Sequence, residues 1–80
     1  MTRKTVSEIQ AFIVHHLSGK LKTAPAGLAL DEPLTELGIS SREAVMLTGE
    51  LEEFIGRPVD PALPWEYPTI ASLSEHLAGL

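Results

Sequence analysis

Val6, Ile9, Ile13, Leu17 and Leu21 recur at the 3.6-residue spacing of an α-helix, and no stretch alternates apolar and polar residues as a half-buried strand would. A chain patterned this way buries its apolar stripes by packing helix on helix. This first stripe, with Val14 at its edge, predicts a helix over residues 5–21. Thr5 opens it, and Glu8 three residues on has the spacing of a capping box. A second stripe of Ala44, Leu47, Thr48, Leu51, Phe54 and Ile55 predicts a helix from Ser40 or Ser41 to near Gly56, with Pro58 beyond as a stop. Thr69 is placed to cap a last helix over residues 70–77, in which Ile70, Leu73 and Leu77 share a face and Gly79 ends the run.

Between the second and last helices, Pro61, Pro64 and Pro68 leave room for one helical turn near residues 63–66. Trp65 and Tyr67 are expected to close the core there. Residues 22–39 hold Pro25, Gly27, Pro33 and Gly38 and read as a loop. It is longer than the roughly 12–15 residues beyond which a loop in a compact domain is uncommon and often functional. Leu28, Leu30, Leu34, Leu37 and Ile39 recur along it, so it is expected to lie pinned across the core. The sum is an all-α fold: a four-helix bundle of three main helices and one short one, with a long first loop.

Eighty residues make one domain, with its core over about residues 5–78. A chain this short buries only about 60% of its unfolded surface, which leaves little interior for a substrate pocket. It begins close to the first helix and stops at the end of the last, as a domain cut from a longer protein would. A free-standing small protein fits equally well. There is no cysteine, so disulfides, thiolate metal sites and thiol nucleophiles are excluded. The charged start Met1-Thr2-Arg3-Lys4 leads into no apolar run of the kind a signal peptide carries, and no stretch nears the roughly 20 apolar residues of a membrane helix. A cytoplasmic location and a monomeric isolated domain are the expectation.

The net charge of −5 falls entirely in the second half. Glu8, Asp31, Glu32 and Glu36 balance Arg3, Lys4, Lys20 and Lys22, whereas residues 40–80 set seven acids against Arg42 and Arg57. An acidic half repels phosphate backbones and favours basic partner surfaces, so no nucleic-acid partner is expected.

The chemistry-bearing residues are few. His15 and His16 point about 100° apart on the first helix, a poor ligand pair, and Asp31-Glu32 lacks the spacing of a calcium loop. No metal site is predicted. Hydrolysis at Ser40 or Ser41 needs a base held by an orienting acid, and the chain has no Gly-x-Ser-x-Gly elbow. A serine that a separate enzyme modifies needs only exposure and a fixed position, and a loop-to-helix junction supplies both. The helix N-terminus also favours an anion beside it. The plainer reading is that Ser40 is a helix cap completed by Glu43. The two are compatible, with Ser40 capping and Ser41 projecting. Arg42, Val45, Met46 and Gly49 fall opposite the core stripe or at its margin, with Glu50, Glu52 and Glu53 around them. Exposed Val45 and Met46 on an acidic helix suggest a docking surface. A protein–protein adaptor bundle, with both serines as caps only, is the alternative of a different class.

Leu37-Gly38-Ile39-Ser40-Ser41 resembles the Leu-Gly-x-Asp-Ser motif of acyl and peptidyl carrier domains. Ala44-Val45, Leu51-Glu52-Glu53 and Gly56 are similar to the second helix of polyketide-synthase carriers. Trp65-Glu66-Tyr67-Pro68-Thr69-Ile70, with Leu73 and His76-Leu77, resembles the ending of the same domains. The resemblance implies a non-catalytic carrier whose Ser41 accepts 4′-phosphopantetheine, with Ser40 the lesser candidate, and whose arm holds acyl groups as thioesters. It implies docking through Ile39, Arg42, Val45, Met46, Gly49, Glu50 and Glu53. The implied partners are a phosphopantetheinyl transferase, an acyltransferase or acyl-adenylate ligase, and a ketosynthase. Two departures stand out: Ser40 replaces the usual aspartate and Arg42 the usual apolar residue. That variant is similar to starter-loading carriers adjoining acyl-adenylate-forming ligases.

Overall fold

The computed structural model describes residues 4–79. The charged start Met1-Thr2-Arg3, used above to argue against a signal peptide, lies outside them. Four helices follow in order: α1 Val6–Leu21, α2 Ser41–Ile55, the single turn α3 Leu63–Glu66, and α4 Ile70–Ala78. Three of them open with reciprocal capping boxes. Thr5 pairs with Glu8, Ser40 with Glu43, and Thr69 with Ser72. In each box a side-chain oxygen of the cap accepts the N–H of the third helical residue, while that residue's side chain accepts the cap's own N–H. Two otherwise unpaired donors are thereby satisfied.

The apolar stripes meet in one core. Ile9, Ile13 and Leu17 of α1, Leu47 and Leu51 of α2, and Ile70, Leu73 and Leu77 of α4 are almost wholly buried. Phe12 and Phe54 are half-buried at the seam of α1 and α2, with ring centroids 4.3 Å apart. The described chain is all-α, as the periodicity required. Val59, beyond the stop of α2, also enters the core, held by its N–H donating to Glu52 Oε1 at 2.9 Å.

The long loop is more ordered than its prolines and glycines suggest. It contains two 3₁₀ turns, Pro25–Gly27 and Leu34–Leu37. Leu28, Leu34 and Ile39 are buried and Leu37 is half-buried, which is the expected pinning. Leu30 departs from it, being 38% exposed. That residue is held by its backbone instead, its carbonyl accepting the Ala71 N–H at 2.9 Å. Four residues on, the Leu34 N–H donates to the Pro68 carbonyl at 2.8 Å.

Trp65 does not close the core. Leu63 and Pro64 are buried, but Trp65 is 57% exposed, because in a one-turn helix it points away from the side Leu63 buries. Tyr67 takes the inner position and stacks on His76 with centroids 4.2 Å apart.

Adjacent residues of α2 therefore face opposite environments. Leu47→Ala should cost about 2–5 kcal/mol by leaving a cavity. Met46→Glu, on the outer face, should stay within about 0.5 kcal/mol. Urea denaturation of both variants checks the assignment, and a large loss in Met46→Glu would place that side chain in the core.

Candidate functional site

The site forms where the loop becomes a helix. After the 3₁₀ turn Leu34–Leu37, Gly38 takes φ 94°, a left-handed conformation that a side chain disfavours. The chain then turns extended, and the Ile39 N–H donates to the Leu34 carbonyl at 3.2 Å. This draws Ile39 inward. Sequence grouped it with the docking residues, but it is only 4% exposed and belongs to the core beneath the site.

Ser40 follows as the N-cap. Its Oγ accepts the Glu43 N–H at 3.2 Å, and its own N–H donates to Glu43 Oε1 at 3.1 Å. The Ser40 backbone N–H, with the Ser40 side chain adding to it, holds the Glu43 carboxyl below the ordinary glutamate range, and Lys20 contributes in the same direction. Ser41 is the first residue of α2 and is exposed. Its hydroxyl has no hydrogen-bond partner among the described residues. The two serines thus divide as the sequence allowed: one engaged in capping, the other free.

Beside Ser41 lies an open cleft of about 140 Å³, walled by Leu34, Thr35, Ile39, Ala44, Pro64 and Trp65. This is well below the roughly 300 Å³ at which small-molecule sites begin. No histidine or acid lines it. His16 lies against Phe12 and His76 against Tyr67, each engaged elsewhere in the fold. The hydroxyl of Ser41 therefore has no resident base beside it in the cleft. No group of three or more metal-ligating side chains occurs among the described residues, and no described helix is long and apolar enough to cross a membrane.

The outer face of α2 carries the remaining residues grouped by sequence. Val45 is 42% and Met46 50% exposed, and Arg42, Gly49, Glu50 and Glu53 are exposed around them. Trp65 is the residue that sequence reasoning missed here. Counting the helical period forward from Leu63 would have placed it outward, and the structure sets it in the wall of the cleft that Ser41 also lines.

Ser41 thus stands at a helix start, beside a shallow cleft whose lining holds no histidine or acid. Residues 11–77 match the family described as phosphopantetheine attachment site, and the chain belongs to that family. Its members carry 4′-phosphopantetheine covalently attached. The chain is 39% identical over 73 residues to a phenolphthiocerol/phthiocerol polyketide synthase of Mycobacterium tuberculosis. That alignment spans 91% of this chain and 4% of the synthase. An acyl carrier protein from Anabaena with a variant phosphopantetheinylation-site sequence superposes with a TM-score of 0.89 at 28% identity, covering 99% of this chain and 90% of that one. A free-standing peptidyl carrier protein from Acinetobacter baumannii does so with a TM-score of 0.86 at 28% identity, covering 94% of each chain. These neighbours are carrier proteins, and the chain is a non-catalytic carrier of the same kind.

The cap makes a pH prediction. A carboxyl whose pKa is lowered on folding contributes stability that is complete above its unfolded pKa, about 4.3, and is lost as pH falls through the lower folded value. Glu43→Gln should therefore flatten the loss of thermal stability below about pH 5, as followed by circular dichroism. An unchanged acid limb would remove Glu43 from the cap's energetics.

Proposed function

We propose that this chain is an acyl carrier domain of polyketide-synthase type, with residues 5–78 as the carrier unit and Ser41 as the attachment residue. The observation that carries this reading is the free, exposed Ser41 hydroxyl at the first position of α2, beside a serine already committed to capping. The relatives' names support the assembly line, and so does the resemblance of α2 and of the Tyr67-Pro68-Thr69 corner to carriers of that type.

Modification needs no catalytic group from this chain. A phosphopantetheinyl transferase supplies the base and Mg²⁺. The Ser41 oxygen bonds to phosphorus as the pyrophosphate bond of coenzyme A breaks, its proton passes to the transferase's base, and adenosine 3′,5′-bisphosphate leaves. The resulting phosphodiester lies at the start of α2, where the helix dipole and unpaired N–H groups favour an anion. Ser40 in place of an aspartate puts a neutral cap there. The attached arm supplies a terminal thiol that holds acyl groups as thioesters. The chain's own residues fix the arm's root, while the shallow cleft leaves the arm free to reach an acyltransferase or acyl-adenylate ligase and a ketosynthase. The Ser40-Ser41-Arg42-Glu43-Ala44-Val45 flank favours a starter-loading carrier fed by an acyl-adenylate ligase. The outer face of α2 is the docking surface, and a cytoplasmic, monomeric domain is the setting.

Incubation with coenzyme A and a broad-specificity phosphopantetheinyl transferase should add one pantetheine group by intact mass, and Ser41→Ala should abolish the addition. A wild-type chain that takes up no group would leave the adaptor bundle, with both serines as caps, as the better reading.

A further inference from the structure

α2 is charged against its own dipole at the end that carries Ser41. Unpaired N–H groups give a helix start a partial positive charge, which favours an anion there and disfavours a cation. α1 follows this rule, with Glu8 in its first turn and Lys20 in its last, and α4 has His76 in its last turn. In α2 the sole base, Arg42, is the second helical residue, and the last turn holds no base.

The fold gives Arg42 no partner that would offset this. Its side chain is exposed, and its guanidinium makes no hydrogen bond among the described residues. Glu43, the acid of the same turn, is engaged by the cap, its Oε1 accepting the Ser40 N–H at 3.1 Å. The cation that helps to lower the pKa of Glu43 is Lys20. The residues about one turn on, Val45 and Met46, are apolar. Against the Leu-Gly-x-Asp-Ser motif, Ser40 removes an anion and Arg42 adds a cation, so both departures raise the positive potential around Ser41. The residues lining the cleft beside Ser41 carry no charge.

An anion carried on Ser41 suits this arrangement. Side chains of a helix lean toward its N-terminus, so Arg42 leans over the turn that Ser41 opens. Adjacent residues point about 100° apart, too far for two short side chains to meet. A guanidinium on its long stem and a phosphorus bonded outside Ser41 Oγ span that gap, since neighbouring Cα atoms are only about 3.8 Å apart. We propose that Arg42 is the counter-cation of the 4′-phosphopantetheine phosphodiester on Ser41. Its planar fork donates to the two non-bridging phosphate oxygens, and the unpaired N–H groups of the first turn favour the same anion. Arg42 thus weakens the unmodified chain, where it opposes the dipole alone, and stabilises the modified one, where it anchors the root of the arm. The proposal rests on Ser41 as the acceptor.

Its test compares wild type and Arg42→Gln before and after attachment of the group by a phosphopantetheinyl transferase with coenzyme A, followed to completion by intact mass. Unmodified Arg42→Gln should melt about 2–5 °C above the unmodified wild type. Attachment should raise the melting temperature of the wild type about twice as far as that of Arg42→Gln, and about 1 M NaCl should remove the difference. Equal rises at low salt, which a residue kept only for a docking partner gives, overturn the proposal while leaving Ser41 as acceptor. If Arg42→Gln resists modification, the wild type decides alone. On attachment the Arg42 Nε–H resonance of isotope-labelled wild type should shift, and an unmoved resonance overturns the pairing. A wild type that takes up no group fails the acceptor reading, and the counter-cation with it.

Discussion

The structure depends on how the long first loop is fastened. Buried Leu28, Leu34 and Ile39 pin it, while Leu30, 38% exposed, leaves its middle to be held by the backbone. Two backbone hydrogen bonds set it. Ala71 at the start of α4 donates to Leu30, and Leu34 donates to Pro68 just before α4. They join the loop to the α3–α4 corner. Leu34 also accepts the Ile39 N–H, so the same short segment that is tied to the corner delivers the chain to Ser40. The position of Ser41 is thus inherited from a contact far from it in sequence.

From that anchor the division between the serines follows. A helix start must satisfy N–H groups that have no intrahelical partner, and Ser40 with Glu43 satisfies two of them reciprocally. Once the cap is made by the preceding residue, Ser41 has no structural task and is free to project from a rigid position. A carrier needs no more than this from its attachment residue: a root fixed by the fold and chemistry supplied by partners.

Much of this was legible in the sequence because the determining rules are local. The caps at Thr5, Ser40 and Thr69 and the stripes of α1, α2 and α4 follow from spacing alone, and the structure has them where spacing put them. Two side chains were misplaced and a third was given two incompatible roles, for a common reason. Trp65, Leu30 and Ile39 lie in or beside irregular backbone, where the direction of a side chain is set by tertiary contacts rather than by a period. Trp65 was expected inside on its size, yet the turn of α3 presents it outward. Ile39 was expected both to help pin the loop and, by the resemblance, to take part in docking, and the hydrogen bond to Leu34 turns it in to the first role. Val59 went unnoticed because its place in the core depends on a side chain seven residues earlier, Glu52.

The central claim is that capping and attachment belong to different serines, and the residue before Ser41 tests it most directly. Ser40→Asp and Ser40→Ala, treated with coenzyme A and a transferase and then mapped by peptide mass, separate the two roles. Ser40→Asp, which keeps a capping oxygen, should melt close to the wild type. Ser40→Ala should lose about 0.5–2 kcal/mol. Both should carry the pantetheine group on Ser41. A folded Ser40→Ala protein that no longer accepts the group, or a wild-type chain carrying it on Ser40, would contradict the account.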